Sequence, residues 1–352
     1  MIDKIGFVAV GQAGGNIGRL FEAKGFKVLY LNTSREDLDT LKGVKYVHHI
    51  AGGEGCNKDR NKAKQLVIDD FENISREIYE KLDVSIIFVI FSSGGGTGSG
   101  CGPMLIDLLL DDAASGTSNV EAVGAITVIP AKNESIKAQI NCYECFEELT
   151  AIENIAATIV IDNAKGDKLQ LNRSMVNAFY NLVEIPSRDK DERGNVDRAE
   201  IKETLSAKGM LVVTKLTAKE SSTAAVLESF KQSALAPIEP DRVIKYITMT
   251  STGNIELDAL EKEVGIPVDI YQTYNDNCTI CCLSGLNYPQ TRLEDVYKLA
   301  TAHQEQIIKN LNATSENAMH KGVNFLSATK KPASEQPKAK TSRRDLMRKY
   351  MN

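Results

Sequence analysis

The sequence predicts an α/β protein in which a doubly wound, parallel-sheet domain is joined by a central helix to a smaller α/β domain with a mixed sheet. Two observations support this. Apolar runs rich in β-branched residues alternate with helix-length segments through the first half, and a hairpin-like turn separates two strand-like runs in the second. Continuous apolar runs are typical of parallel strands buried on both faces. We expect domains at 1–171 and 187–325, a connecting helix at 172–186 and a tail at 326–352.

The first half contains five strand-like runs, at residues 5–10, 28–31, 84–91, 123–129 and 158–161. Helices are predicted between them at 16–24, 60–81, 103–113 and 136–154. This βαβ alternation predicts a ligand site beyond the carboxyl ends of the strands.

The second half begins after a helix that Pro186 is expected to end. Strands are predicted at 211–216, 243–250, 268–274 and 278–283, and helices at 199–207, 222–235, 256–264 and 292–311. Asn275-Asp276-Asn277 predicts a hairpin between the last two strands, so the smaller sheet should be mixed.

Composition indicates an ordinary globular protein, because 42% of the 352 residues are hydrophobic and 25% are charged. No apolar run has the length of a membrane span, and the first residues lack a secretory signal, so we expect a cytoplasmic protein that does not contact membranes. Seven cysteines, an odd number, predict free thiols rather than a disulfide framework.

Charge is distributed unevenly. Residues 330–352 carry eight Lys and Arg against Glu335 and Asp345, a net charge of +6, which leaves about −11 for the rest of a chain whose net charge is −5. The acidic body argues against broad binding of nucleic acid by the folded surface, and we expect no direct sequence-specific DNA binding. The basic tail is expected to be flexible and to suit an anionic partner, and its apolar Leu346, Met347, Tyr350 and Met351 share a helical face. A solvated tail without a specific role is the alternative.

Two glycine-rich loops follow predicted strands. Gly11-Gln12-Ala13-Gly14-Gly15-Asn16 would let backbone N–H groups approach a phosphate, although any Rossmann-like turn has a similar pattern. The stronger signal is the segment 92–100. Five of the seven residues from Gly94 to Gly100 are glycine, and Thr97 and Ser99 carry hydroxyls. Because ordering so many glycines is costly, an anion cradle explains this loop better than a flexible linker does.

These motifs resemble the tubulin/FtsZ superfamily. Gly94–Gly100 is similar to its GGGTG(S/T)G signature. Further segments resemble other family motifs and occur in the same order along the chain, over roughly residues 2–320: Asn32-Thr33, Gly55-Cys56-Asn57 and Asn163. The resemblance implies binding of GTP or GDP with Mg²⁺, whose ligands the sequence does not fix. The implied nucleotide-binding residues are Gly11, Gln12, Ala13, Gly14, Asn16, Asn32, Gly55, Cys56, Asn57, Gly94, Gly95, Gly96, Thr97, Gly98, Ser99, Glu134, Asn163 and Asn172.

Two departures indicate the TubZ branch, the plasmid- and phage-borne members, rather than FtsZ. FtsZ proteins have an Arg four residues after a Glu in this loop, whereas here Ala138 stands four residues after Glu134. Lys137 is a candidate substitute for the missing Arg. The segment 172–197 is also short, and Asn172 is our choice for the second guanine contact.

The catalytic candidates are Asp197 and Glu200, in Asn195-Val196-Asp197-Arg198-Ala199-Glu200. This segment resembles the family's NVDxx(D/E) loop, which implies that they orient the attacking water in the next protomer of a head-to-tail homopolymer. The same spacing is also a helix-capping pattern, which is the structural alternative.

Other functions remain as alternatives. The main one is an FtsZ-like cell-division GTPase; the basic tail favours DNA segregation instead, with a DNA-bound adaptor held by residues 330–352. An NAD(P)-dependent Rossmann oxidoreductase is disfavoured because Asn32 replaces the expected acidic residue. Zinc half-sites at Cys142-x-x-Cys145 and Cys278-x-x-Cys281 are interpreted as core residues.

Overall fold

A computed structural model of the protein describes residues 1–302 and Tyr350. Its strands are β1 (Ile5–Val10), β2 (Lys27–Asn32), β3 (Tyr46–His49), β4 (Ile86–Ser92), β5 (Ala122–Ile129), β6 (Ala157–Asp162), β7 (Lys190–Asp191), β8 (Gly194–Asn195), β9 (Gly209–Thr217), β10 (Tyr246–Ser251), β11 (Asp269–Tyr274) and β12 (Cys278–Leu286). Its helices are α1 (Gly11–Glu22), α2 (Arg35–Asp39), α3 (Arg60–Leu82), α4 (Thr97–Ala114), α5 (Ile136–Thr150), α6 (Lys168–Val183), α7 (Ile185–Arg188), α8 (Arg198–Ser206), α9 (Thr223–Gln232), α10 (Leu257–Val264) and α11 (Gln290–Ala302). Predicted helical residues 303–311 and the tail, apart from Tyr350, lie outside the described residues.

The predicted α/β fold is confirmed. Ten strands form one sheet in the order β11-β10-β12-β9-β6-β5-β4-β1-β2-β3. The strands from β1 to β6 pair in parallel, and the second half is mixed, because β12 runs antiparallel to both β9 and β10. β6 and β9 pair in parallel at Ala157↔Gly209, so the two expected domains share a continuous sheet rather than having separate ones.

The predicted hairpin between β11 and β12 is wrong. β10 lies between them and pairs with both, in parallel with β11 and antiparallel with β12. The turn therefore crosses the end of β10: Asn275 donates its backbone N–H to Ser251 O and its side-chain amide to Thr250 Oγ1 at 2.7 Å. An Asn-rich turn between two consecutive strands does not require that they pair with each other, because a third strand, here β10, can lie between them.

Two proline-based boundaries also differ from prediction. The helix after the glycine-rich loop begins at Thr97 rather than near Pro103, which lies inside it. Pro186 does not end α6 but stands in the first turn of the short α7. Proline is tolerated in a first turn because the N–H groups there have no intrahelical acceptor.

The sheet is covered on both faces. Under α1 and α6 lies an aromatic cluster, in which Phe7 stacks on Phe21 at 3.9 Å and Phe179 contacts Phe7, Phe21 and Phe88 edge-on. Helices α3, α4, α5 and α11 pack side by side on the other face. All seven cysteines are buried and free, as predicted. Across residues 1–302 no helix combines the length and apolar character that crossing a bilayer requires.

Candidate nucleotide site

A cleft of about 720 Å³ opens where the carboxyl ends of β1, β4 and β5 meet the segment that follows β6. This volume is in the range of small-ligand sites. Fifteen of the predicted nucleotide-binding residues line it: Gly11, Gln12, Ala13, Asn16, Gly55, Cys56, Asn57, Gly94, Gly95, Gly96, Thr97, Gly98, Glu134, Asn163 and Asn172.

Two helix N-termini face this cleft. α1 begins at Gly11, directly after β1, and the φ of +71° at this position favours glycine. α4 begins at Thr97, after β4, the strand that pairs with β1. Within the described residues no side chain caps either N-terminus, whereas α3, α5 and α6 each have a capping side chain. The free N–H groups and the positive ends of two helix dipoles therefore favour an anion here.

The loop before α4 is held from behind by Arg60. Because Pro103 has no N–H, the carbonyl of Ser99 is not used in the helix, and Arg60 Nη2 donates to it at 3.2 Å. Arg60 is buried and also pairs with Glu144 at 2.8 Å and Glu148 at 2.7 Å. This ion-pair network fixes the loop to α3 and α5.

Three predicted residues lie behind the cleft instead of lining it. Ser99 is fully buried and donates its hydroxyl to Gly95 O at 2.5 Å, so the expectation that it presents a donor to the ligand is wrong. A Cβ on Gly14 would lie 2.4 Å from Ile90 O, so this glycine allows α1 to pack on β4. Asn32 donates to Asp37 at 3.2 Å and orients that carboxylate, which itself lines the cleft.

The loop that contains residues 55–58 is bound tightly to the loop before α4. Thr33 Oγ1 lies 2.8 Å from Thr97 Oγ1 and 3.3 Å from Cys56 Sγ. Asn141 Nδ2 donates to Gly95 O at 2.7 Å and to Lys58 O at 3.1 Å. Movement of either loop must therefore displace the other.

The far end of the cleft is formed by Glu134, Asn163 and Lys168. Burial raises the pKa of Glu134, but hydrogen bonds from Lys168 at 2.8 Å and from the Ala131 N–H at 3.1 Å outweigh it, and the pKa is lowered overall. Asn163 Nδ2 donates to Glu134 at 3.4 Å, and its Oδ1 is buried without a partner among the described residues. A buried acceptor of this kind fits a ligand N–H.

Sequence reasoning missed several residues that line the cleft, namely Ser34, Asp37, Lys58, Ser92, Val128, Lys168 and Leu169. Leu169, at the start of α6, is 58% exposed. Position gave a signal for Ser92 and Val128, which lie at the carboxyl ends of β4 and β5, and for Ser34, which lies two residues after β2. Lys137, the candidate substitute for the family's Arg, donates to Asn57 O at 3.1 Å instead of lining the cleft.

Asp197 and Glu200 do not lie in this cleft. They form a capping box at the start of α8, in which Asp197 accepts from the Ala199 and Glu200 N–H groups and Glu200 accepts from the Asp197 N–H at 2.8 Å. The capping alternative is therefore confirmed as a structural role. Both side chains are also partly or fully exposed, so they remain available to a partner.

Helix α8 lies at the opposite edge of the sheet. Lys202 pairs with Glu121, which immediately precedes β5, and Lys208 donates to Ile152 O before β6. β5 has eight residues and spans roughly 26 Å between this edge and the cleft. The cleft and the Asp197–Glu200 pair are therefore at opposite ends of one molecule.

Residues 1–302 and Tyr350 contain no group of three His, Cys, Asp or Glu side chains arranged for a metal ion. The zinc alternative at the cysteine pairs therefore has no support among these residues. Oxygen donors that line the cleft, Asp37 and Thr97, suit a hard cation held mainly by phosphate and water.

Residues 4–169 match the tubulin/FtsZ family, GTPase domain. The chain is 28% identical to the tubulin-like protein TubZ of Clostridium botulinum C phage over 90% of this chain and 88% of that one. It is 33% identical to the tubulin-like protein CetZ of Thermococcus kodakarensis over 50% of this chain and 48% of that one. The match to a GTPase domain disfavours the oxidoreductase alternative.

Solved structures agree with the fold. The crystal structure of Clostridium botulinum phage c-st TubZ has a TM-score of 0.77 at 25% identity, covering 87% of this chain and all of that one. A GTPγS-form protofilament of Bacillus thuringiensis serovar israelensis TubZ has a TM-score of 0.72 at 14% identity, covering 90% and 94% of the two chains.

Proposed function

We propose that the chain, whose residues 4–169 match the GTPase domain of the tubulin/FtsZ family, hydrolyses GTP to GDP and phosphate at an active site that the next protomer of a filament completes. The observation that carries this proposal is the separation of the cleft from Asp197 and Glu200 by the full length of β5. No bending of one chain brings these two parts together without breaking the continuous sheet.

In the proposed complex the phosphates lie against the N-termini of α1 and α4, where uncapped N–H groups replace water. The guanine lies towards Asn163 and Asn172, and the free Oδ1 of Asn163 accepts from its edge. Bound Mg²⁺ would neutralise phosphate charge and stabilise the leaving oxygens. In this proposal the chain's own groups position the nucleotide, and the group that orients the attacking water comes from another copy.

A second copy supplies that residue. When the amino edge of one sheet docks on the carboxyl edge of the next, Asp197 and Glu200 face the γ-phosphate, and their carboxylates orient a water for in-line attack. Such a contact joins two different surfaces and repeats into an open polymer. The protofilament described for the Bacillus thuringiensis TubZ, which has the same fold, is consistent with this arrangement.

The test is phosphate release from GTP as a function of protein concentration, for the wild type and Glu200→Gln. Glutamine keeps the capping box, so the variant should fold and sediment as filaments while its turnover falls about a hundredfold. The matched control is Glu220→Gln, since Glu220 forms an equivalent capping box with Thr217. Turnover that is first order in protein at all concentrations, or unchanged in Glu200→Gln, would refute the shared site.

We further propose that the filament segregates plasmid or phage DNA through an adaptor that binds the basic tail, residues 330–352. The similarity to a phage TubZ over most of both chains supports this role more than it supports an FtsZ-like role in cell division. The test is recruitment of the DNA-bound adaptor to filaments after deletion of residues 330–352. Undiminished recruitment to intact filaments would exclude the tail as the binding segment.

A further inference from the structure

A site outside the nucleotide cleft is built from three helices that pack on one face of the sheet. Lys64 of α3 is 5% exposed, and its Nζ pairs with Glu148 of α5 at 2.6 Å. Asp107 of α4 lies on the adjacent helix and is half-buried. The site thus combines the Lys64–Glu148 ion pair with a second carboxylate, Asp107, on the neighbouring helix.

Tyr350, near the end of the chain, occupies this site. It is 5% exposed, its hydroxyl donates to Asp107 Oδ2 at 3.0 Å, and Lys64 Nζ lies 5.4 Å from the centre of its ring. Burial and the negative charge of Asp107 raise the pKa of Tyr350, so the phenol stays protonated and remains a donor. The sequence predicted a flexible tail, yet Tyr350 within it is buried to the same degree as residues of the core.

We propose that the α3–α4–α5 surface around Lys64, Asp107 and Glu148 is the docking site for the chain's own C-terminal segment, with Tyr350 as its anchor. The ring lies over the ammonium group of Lys64, and the hydroxyl donates to Asp107. A cation over an aromatic ring and a hydrogen bond to a charged group both stabilise the docked segment.

Charge complementarity supports this occupant. The residues before Tyr350 include Arg343, Arg344, Arg348 and Lys349. The two helices α4 and α5 beside the site are acidic, with six carboxylates against the single cation Lys137: Asp107, Asp111, Asp112, Glu144, Glu147 and Glu148. A basic segment is therefore attracted to the surface on which its tyrosine is anchored.

The path of the chain supports docking within one molecule. α11 ends the described body at Ala302 and lies beside α5, where Tyr297 contacts Tyr143 at 5.0 Å between ring centres. The segment that leads to Tyr350 therefore starts on the face that holds the site. Residues 303–349 are ample to reach it.

Docking leaves the nucleotide cleft open, because Lys64, Asp107 and Tyr350 do not line it. The site is nevertheless connected to the glycine-rich loop. Glu148 bridges Lys64 and Arg60, and Arg60 donates to Ser99 O. The docked tyrosine thus lies behind the loop that faces the cleft.

The test is digestion of the full-length protein with a carboxypeptidase, followed by intact mass spectrometry. We expect the wild type to lose Asn352 and Met351 quickly and then to stall at Tyr350. Asp107→Ala and Tyr350→Phe each remove the hydrogen bond, so residue 350 should be released about tenfold faster or more, in line with the loss of a bond to a charged group. Tyr350→Phe alters only the terminus and does not threaten the fold.

The matched control is Asp69→Ala, which removes an exposed carboxylate from α3 without touching the site and should stall like the wild type. The stall should also be independent of protein concentration. Release of residue 350 at one rate in the wild type, Asp107→Ala and Tyr350→Phe would overturn the proposal. A stall that disappears on dilution would overturn it as well, because it would assign the site to the tail of a second copy.

Discussion

At the scale of residues, the glycine-rich loop is shaped by close backbone contacts as much as by conformational freedom. An added Cβ at Gly96 would lie 2.7 Å from Lys58 Cα and 2.8 Å from Lys58 N. At the adjacent Gly95 it would meet only Ser92 O, at 3.8 Å. Two neighbouring glycines of one motif therefore have different tasks: Gly96 allows the two loops to touch, and Gly95 lines the space for the ligand.

This difference predicts the stabilities of two alanine variants. Gly96→Ala should lower the free energy of unfolding by about 1–3 kcal/mol, because backbone has to move to admit the methyl group. Gly95→Ala should unfold within about 0.5 kcal/mol of the wild type. Thermal or urea unfolding without nucleotide measures both. Equal destabilisation of the two variants would contradict the close contact at Lys58.

Asn163 leads to a prediction about base specificity. Its Oδ1 is buried and has no partner within the described residues, which fits an acceptor for a guanine N–H. Asn163→Ala should weaken GTP binding by about 1–3 kcal/mol while leaving the affinity for ATP almost unchanged. Competition against a fluorescent guanine nucleotide measures both affinities. Parallel weakening of GTP and ATP would mean that Asn163 has only a structural role.

The residues that the sequence revealed are those whose type is dictated by a backbone task. Gly11, Gly96 and Thr97 stand in motifs because a phosphate loop needs exposed N–H groups at fixed positions. Lys168 and Leu169 were missed because any helix begins with such residues, and their role arises only from the orientation of α6 over the cleft. Ser99 was misassigned because its hydroxyl is satisfied within the loop.

At the scale of elements, α8 combines a cap with exposed carboxylates. Asp197 caps the helix through two backbone N–H groups, and asparagine caps about as well as aspartate. Asp197→Asn should therefore keep the stability of the wild type while GTP turnover falls about a hundredfold. Asp197→Ala should lose turnover and in addition about 0.5–2 kcal/mol of stability.

Unfolding curves and phosphate release, measured together on the two variants, separate the roles. If Asp197→Asn hydrolysed GTP at the rate of the wild type, the loop would be a cap and nothing more. The sequence pattern alone left these roles open, since the Asp-x-x-Glu spacing serves both. The structure supplies the missing fact, which is the location of the cap relative to the cleft.

Helix and strand positions were largely predictable, but their partners were not. Apolar periodicity located β10, β11 and β12 to within a few residues. The order β11-β10-β12 depends on pairing between strands that are distant in sequence, about which an Asn-rich turn carries no information. The start of α4 was missed for a similar reason, because Arg60, distant in sequence, accommodates the proline by binding the carbonyl that Pro103 leaves free.

At the scale of the whole molecule, the continuous sheet determines the biology that we propose. β9 extends the parallel sheet past β6, so the two halves predicted as domains are held in one layer. The nucleotide cleft and the Asp197–Glu200 pair are thereby fixed at opposite edges. In the proposal above, each edge carries half of an active site, so the protein would hydrolyse GTP only in a chain of copies.

The most direct test of this account mixes two inactive variants. Gly95→Val should block the nucleotide cleft without disturbing the fold, since its side chain enters open space, while its Asp197 and Glu200 remain intact. Glu200→Gln keeps the cleft but lacks the water-orienting carboxylate. Alone, each variant should hydrolyse GTP at no more than about a hundredth of the wild-type rate. The mixture should regain a substantial fraction of wild-type turnover, because the first variant completes the cleft of the second. A mixture as inactive as its components would contradict an active site shared between protomers.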